Sequence, residues 1–295
     1  MATKVDVTHA DRVLFPADGI TKGDVVEYYT DIAEVMVPHL KGRPLTLWRY
    51  PRGIDQKGFV QQDFADALPD WMDRAEVAKE NGSVVHPVAD RRDAVRWLAN
   101  QNGIVVHAWL STCDHLQAPD RIVFDLDPSN SDFSAVKATA RTFADVLDGI
   151  GLVPYVQTTG SRGLHVVTPI KVGPDYDTVR QFARDVADVV AADDPDHRTV
   201  EVRKSKRGDR VYLDVMRNAY AQTAVAPYSL RAREGAPVAT PLEWGELDRR
   251  GLRPDSFTIR DVVERVAERG DPWSQIARRA RSLKGPTQRL AKLSD

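Results

Sequence analysis

A single cysteine, Cys113, is all the thiol chemistry the chain has. That excludes an intramolecular disulfide and any zinc knuckle built from several thiolates, and it makes a reducing compartment the natural inference. No apolar run is long enough to span a bilayer, and Met1-Ala2-Thr3-Lys4-Val5-Asp6 has no signal-peptide core, so a cytoplasmic protein without a membrane partner is expected. An excess of one charge is also missing. Lys and Arg number 41 against 43 Asp and Glu, a formal net charge of −2, so any nucleic-acid surface has to be a local patch. No internal repeat or low-complexity linker divides the chain, and there is no Gly-x-x-x-x-Gly-Lys-Ser/Thr phosphate loop. The 295 residues, 42% hydrophobic and 28% charged, suit a globular protein with a sizeable core.

The stretch Ile122-Val123-Phe124-Asp125-Leu126-Asp127-Pro128 is an apolar run carrying two acids. On a β-strand Asp125 and Asp127 share one face, while Phe124 and Leu126 turn to a core on the other. Two carboxylates so placed repel unless cations sit between them, and oxygen ligands of this kind suit Mg²⁺ or Mn²⁺. Pro128 has no N–H for a ladder and closes the strand. The same dipeptide pattern also serves as plain surface charge or helix-capping material.

Around this strand the periodicities predict a helix over 22–39, with Arg12 and Lys22 flanking its start, and a strand over 45–50 that includes Arg49. An irregular loop over 55–72 follows, with exposed aromatics Phe59, Phe64 and Trp71. They are read either as core cover or as a stacking platform for bases. A short helix over 91–101 leads to a buried strand, 104–109, in which His107 is a hydrogen-bonded core histidine on the plainer reading. Asn130 or Ser131 caps the next helix. A hairpin then turns through Thr158-Thr159-Gly160-Ser161-Arg162-Gly163, whose N–H groups, hydroxyls and guanidinium can face an anion. After a helix over 176–192, two strands are expected at 200–204 and 211–215. Arg198, Arg203, Lys204, Lys206, Arg207 and Arg210 crowd this region, which ends on an isolated acid, Asp214. An acid among apolar neighbours needs a partner or a metal. From the carboxylate strand onward the order is β-α-β-β-α-β-β, an antiparallel or mixed sheet covered by helices, and 242–295 is expected to be a mostly helical, Arg-rich tail.

Phe124-Asp125-Leu126-Asp127-Pro128, Thr159-Gly160-Ser161-Arg162-Gly163-Leu164-His165, and Leu213-Asp214 with Ala226-Pro227-Tyr228-Ser229-Leu230-Arg231 together resemble the polymerase domain of bacterial ATP-dependent DNA ligase D. That family falls among the archaeo-eukaryotic primase-polymerases. Ala10-Asp11-Arg12-Val13-Leu14-Phe15-Pro16 and Val106-His107-Ala108-Trp109 extend the likeness over nearly the whole chain. The resemblance implies an α+β primase-polymerase fold, its mainly antiparallel sheets flanked by helices and its catalytic half RRM-like. It implies one such domain, with a DNA-contacting part at 1–110, a metal and nucleotide part at 111–241, and the tail. Asp125, Asp127 and Asp214 would hold two divalent metals, Mn²⁺ or Mg²⁺, about 4 Å apart. His107, Thr159, Ser161, Arg162, His165, Lys204, Arg207, Arg217 and Arg231 would bind the NTP or dNTP. Arg12, Lys22, Arg49, Phe59 and Phe64 would contact DNA, with Arg12 and Lys22 gripping a downstream 5′-phosphate. Phe59-Val60 stands where two adjacent phenylalanines are frequent, and Gln62 where lysine is.

The activity implied is template-dependent addition of nucleotides to DNA 3′-ends at gaps or overhangs in end joining, with primer synthesis as a further activity. The protein would work on the nucleoid beside an end-binding factor and a separate ligase. Lys22-Gly23-Asp24-Val25 does not match the Lys-x-Asp-Gly of a ligase nucleophile, so a stand-alone polymerase or an excised domain is expected. The rival readings are an Asp-x-Asp glycosyltransferase using Mn²⁺, which leaves Asp214 and the basic stretch without a purpose, and a non-catalytic module that binds DNA ends.

Overall fold

The computed structural model describes residues 6–130 and 132–293. Residues 1–5 of the N-terminal stretch, and Ser131 as a helix cap, therefore lie outside the described residues. The chain forms two compact units, each assembled from separated segments.

The first unit runs to Asp114 and takes in Val225–Thr240 and Asp255–Asp271. A two-stranded ribbon, β1 (Val13–Phe15) with β2 (Ile20–Thr21), leads into α1 (Lys22–Asp31). The helix starts at a reciprocal capping box: Asp24 N–H donates to the Thr21 hydroxyl, and the Asp24 carboxylate accepts from Thr21 N–H. The single helix expected over 22–39 runs instead as α1 and α2 (Ala33–Leu40), parted at Ile32. The Thr30 hydroxyl bonds back to Val26 O just before the break, which disturbs helical continuity there, while Pro38 is carried inside α2. Strand β3 (Leu45–Arg49) lies between β4 (Phe59–Gln61) and, further along, β7 (Gly103–Trp109), all antiparallel neighbours. The hairpin β5 (Arg74–Lys79) with β6 (Gly82–Pro87) and helix α3 (Arg92–Asn100) lie between β4 and β7 in sequence.

The second unit comprises His115–Ala224, Pro241–Pro254 and the chain from Pro272. Its elements are β8 (Arg121–Asp127), α4 (Phe133–Gly149), β9 (Tyr155–Thr158), β10 (Leu164–Pro169), α5 (Tyr176–Asp193), β11 (Arg198–Thr199) and β12 (Val211–Asp214). They build a sheet in the order β11-β12-β8-β10-β9, with Pro241–Leu242 on its edge. Every pairing is antiparallel except β11 with β12. The period-two pattern of β8 sends Phe124 and Leu126 under α4 and α5, where Phe124 meets Phe143 with ring centroids 4.6 Å apart. Full burial of side chains such as Val166, Phe143, Leu147, Val179 and Val186 contributes roughly 1.5–3 kcal/mol each, and this holds the other sheet face in place. α4 is capped by Asp132, whose carboxylate accepts from Ser134 N–H, while Asn130 in turn accepts from Asp132 N–H.

The strand expected at 200–204 is not formed. Pairing stops at Thr199, and Val200 and Val202 stay exposed. The Arg207 guanidinium takes Glu201 O and Val202 O, so those carbonyls are used by a side chain and the segment becomes a loop ending in a 3₁₀ turn at Lys204–Lys206.

Candidate active site

The site is a row of side chains running across four adjacent strands. Register places Gln157 on β9 opposite His165 on β10, His165 opposite Asp125 on β8, and Asp125 opposite Asp214 on β12. Asp127, two residues along β8, shares the face and sits opposite Tyr212. Residues directly opposite on an antiparallel pair bring their Cβ atoms within about 5.5 Å. The outcome is a cluster in which one carboxylate oxygen from each of Asp125, Asp127 and Asp214 lies within 4.8 Å of the others.

His165 Nε2 lies 3.3 Å from Asp125 Oδ1, and Arg217 Nε lies 3.5 Å from Asp125 Oδ2. On the far side of the ring, Gln157 Nε2 stands 3.2 Å from His165 Nδ1. Burial alone would raise the Asp125 pKa, but His165 and Arg217 beside it hold the carboxyl below its usual range. At Asp127 burial, then the charges of Asp125 and Asp214, outweigh the pull of His165 and Arg217 and push it up to about 6. Asp214 is raised by burial and by Asp125, against a bond accepted from Met216 N–H at 2.7 Å. Acids that are buried or half-buried and repel one another in this way fit a divalent cation, whose charge turns the repulsion into binding.

A pH dependence follows. Asp127 binds its proton more tightly folded than unfolded, so in the metal-free protein its stabilising contribution is present at low pH and is lost as pH rises from about 4 through 6. Cation binding displaces that proton, so Mn²⁺ affinity should rise with pH below about 6 and level off above 7. Titration calorimetry at pH 5, 6 and 7 reads this directly; a flat profile would show that Asp127 is not a ligand.

The glycine turn is built against this strand. Gly160 takes φ +62°, a left-handed conformation that glycine adopts without strain. The Thr159 hydroxyl accepts from Gly163 N–H at 3.2 Å and lies 3.1 Å from Gly163 O, so it clasps the turn from within. Gly163 presses on Leu126 O so closely that a Cβ there would collide with it. A cavity of about 360 Å³ adjoins the turn, lined by Pro128, Ser129, Asn130, Phe133, Ser161, Arg162 and Pro254. Lys204 is exposed on its 3₁₀ turn. Arg207 lies over the Tyr212 ring, 3.5 Å from its centroid, bracing the loop.

His107 and Arg231 belong to the first unit. So do Arg12, Lys22, Arg49, Phe59 and Phe64. Lys22 is 2% exposed; its ammonium donates to the Thr8 hydroxyl at 2.9 Å, and burial, then Arg12 and Arg49, lower its pKa. Arg12 donates to Pro51 O, and Arg49 to Gln101 O and Gln61 Oε1. Among these bonds no acid offsets the three cations. Phe59 is exposed, with Arg49 over its ring. Phe64 corrects the expectation of a DNA contact: it is 1% exposed, with its ring set edge-on to Trp97 and its N–H donating to Val85 O. It is cover for the core, and no base can reach it.

One residue of the site was not singled out from the sequence. Asn218 is fully buried, accepts from Val123 N–H at 2.9 Å and donates to Val123 O at 2.7 Å and Val215 O at 2.9 Å. Its amide thus ties β8, which bears two of the acids, to the turn that follows Asp214. The only signal in the sequence is a polar residue four positions beyond Asp214, which any surface turn could supply.

A family model described as "LigD, primase-polymerase domain" matches residues 21–273. The chain belongs to the LigD primase-polymerase family. It is 38% identical over 277 residues to the "Multifunctional non-homologous end joining DNA repair protein LigD" of Mycobacterium tuberculosis, covering 91% of this chain and 36% of that one. To the "Bifunctional non-homologous end joining protein LigD" of Bacillus subtilis it is 31% identical over 279 residues, covering 93% of this chain and 44% of the relative. The chain therefore spans well under half the length of these curated relatives. Among solved structures, the "Polymerase Domain from Mycobacterium tuberculosis Ligase D in complex with DNA" matches with a TM-score of 0.88 at 35% identity, covering 94% of this chain and 99% of that one. Its fold, mixed α/β with antiparallel sheets, is that of the LigD polymerase domain.

Proposed function

We propose that the chain is a template-directed nucleotidyltransferase that adds NTPs or dNTPs to DNA 3′-ends in end joining or short-gap filling. The observation that carries this reading is the meeting of Asp125, Asp127 and Asp214, distant in sequence, around one point beside an arginine-bearing glycine turn. Family membership supports it, as does the complex with DNA formed by the Mycobacterium tuberculosis domain.

The three acids would hold Mg²⁺ or Mn²⁺, which when bound supplies activation of the primer 3′-hydroxyl and charge neutralisation at the departing pyrophosphate. The chain's own groups do the rest. His165 and Arg217, one beside each carboxylate oxygen, hold Asp125 in place within the cluster. Ser161 and Arg162 offer a hydroxyl and a guanidinium to the triphosphate where the cavity opens, and exposed Lys204 adds a mobile positive charge. Because Thr159 and Arg207 are engaged in bracing the turn and the loop, their part is to shape the pocket. In the first unit, the cluster of Arg12, Lys22 and Arg49 fits a 5′-phosphate, whose charge would relieve their mutual repulsion. An end-binding factor and a ligase activity would complete the repair, on the nucleoid in the cytoplasm. Among the described residues no helix is long and apolar enough to cross a membrane.

Primer extension on a gapped duplex with NTP and Mn²⁺ tests the reading: wild type elongates, and Asp127→Ala does not. DNA binding by wild type with no elongation would leave only an end-binding module. In the same assay Lys22→Ala should erase most of the advantage that a 5′-phosphorylated gap gives wild type. Equal extension by wild type with and without that phosphate would show the cation cluster is not used.

A further inference from the structure

Strand β3 is buried at Leu45, Thr46 and Leu47, and then the pattern breaks: Trp48 is 41% exposed. Its cross-strand partners are Val60 on β4, 49% exposed, and Val105 on β7, so the three side chains share a face. His107, paired with Thr46, lies on that face too. Its ring stacks on the Trp48 indole with centroids 5.9 Å apart and planes 25° from parallel. The pairing register of β3 slips immediately after Trp48, and irregularities of this kind re-aim side chains. The indole is thus held against an imidazole on one side and open on the other.

An exposed, braced indole is a surface for another flat ring. The charges of this unit say which. On the reverse side of the same strand pair Arg49 covers Phe59, and Arg12 and Lys22 add two more cations with neutral hydrogen-bond partners. An apolar peptide would leave these cations unmatched, and a single free nucleotide would not extend across both sides of the strand pair. A strand of DNA supplies both elements, π-faced bases and a run of phosphates.

We propose that Trp48, braced by His107 and flanked by Val60, stacks on an unpaired base of a DNA strand. The inference rests on the nucleic-acid reading above and adds a contact that it does not include. Base–aromatic stacking contributes enough that its loss weakens binding roughly 5- to 150-fold per base. The test measures affinity of wild type, Trp48→Ala, Trp48→Leu and Trp48→Phe for a labelled duplex with a 3′-overhang and for a blunt duplex of the same length. Trp48→Ala and Trp48→Leu should lose about tenfold or more on the overhang alone, while Trp48→Phe, which keeps a ring, stays near wild type. Thermal melting of each variant checks that the fold is intact. The proposal is overturned if Trp48→Leu binds the overhang like wild type, if both DNAs weaken equally, or if only the KM for nucleotide moves. Should wild type bind neither DNA, the nucleic-acid reading falls, and the stacking role with it.

Discussion

Asp214→Asn is expected to abolish nucleotide addition, by on the order of a thousandfold or more, while DNA affinity changes less than twofold. The amide keeps the shape of the carboxylate and can still accept from Met216 N–H, so β12 and the turn after it remain in place. What is lost is one of three negative charges converging on one point. A thousandfold corresponds to about 4 kcal/mol of transition-state stabilisation, an ordinary magnitude for a preorganised charge. A second signature accompanies it. Burial and the neighbouring Asp125 raise the pKa of Asp214, so the charge is held at a cost to the metal-free fold. The variant should therefore melt at a higher temperature than wild type without cations, and gain less when Mn²⁺ is added. An Asp214→Asn protein elongating a primer within tenfold of wild type would remove this residue from the chemistry.

Gly163→Ala is expected to cost both stability and activity. A Cβ at this position would collide with Leu126 O, and the obstacle is a backbone carbonyl in the middle of a ladder, not the tip of a flexible side chain. The turn would have to swing outward, straining the pairing of Leu164 with Leu126 and the clasp between Thr159 and Gly163. Overpacking of this kind costs about 1–3 kcal/mol, enough to lower Tm by several degrees. The displacement also moves Ser161 and Arg162 relative to the acids, so extension should fall by about a hundredfold, as happens when reacting groups are misplaced by about 1 Å. Gly149→Ala is the control: it lies in α4 with nothing near its Cβ direction, so helix propensity predicts a neutral or slightly stabilising change. A Gly163→Ala protein as stable and active as wild type would show that the turn can give way.

Much of the unit that carries the acids could be read from the residues. Asp125 and Asp127 share a face because strands have period two, and Pro128 ends β8 for lack of an N–H, so the first part of the cluster needed no coordinates. The hairpin around Gly160 and Gly163 was legible for the same local reasons. Asp214 was different: its isolation among apolar residues signalled a need, but only the register of β12 against β8 tells which groups meet it. Pairing over a separation of nearly ninety residues leaves no local pattern. Phe59 and Phe64 show the limit more sharply. Both are aromatic and both lie in a Gln- and Asp-rich stretch, yet one is exposed and the other seals the core beside Trp97. Val200 and Val202 misled for a related reason. β-branched residues favour strands, but the strand needs free carbonyls, and Arg207 takes them.

The second unit draws its last pieces from far along the chain. Pro241–Leu242 edges its sheet, Trp273 packs on Tyr155, and Arg289 donates to Ile150 O. On the ribosome, then, the acids of β8 emerge long before the edge strand and the two late anchors that complete their scaffold. A fragment ending near residue 224 would carry every carboxylate of the cluster and still lack these three supports. Shortening this chain from its C-terminus is therefore an operation on the sheet that carries the three acids.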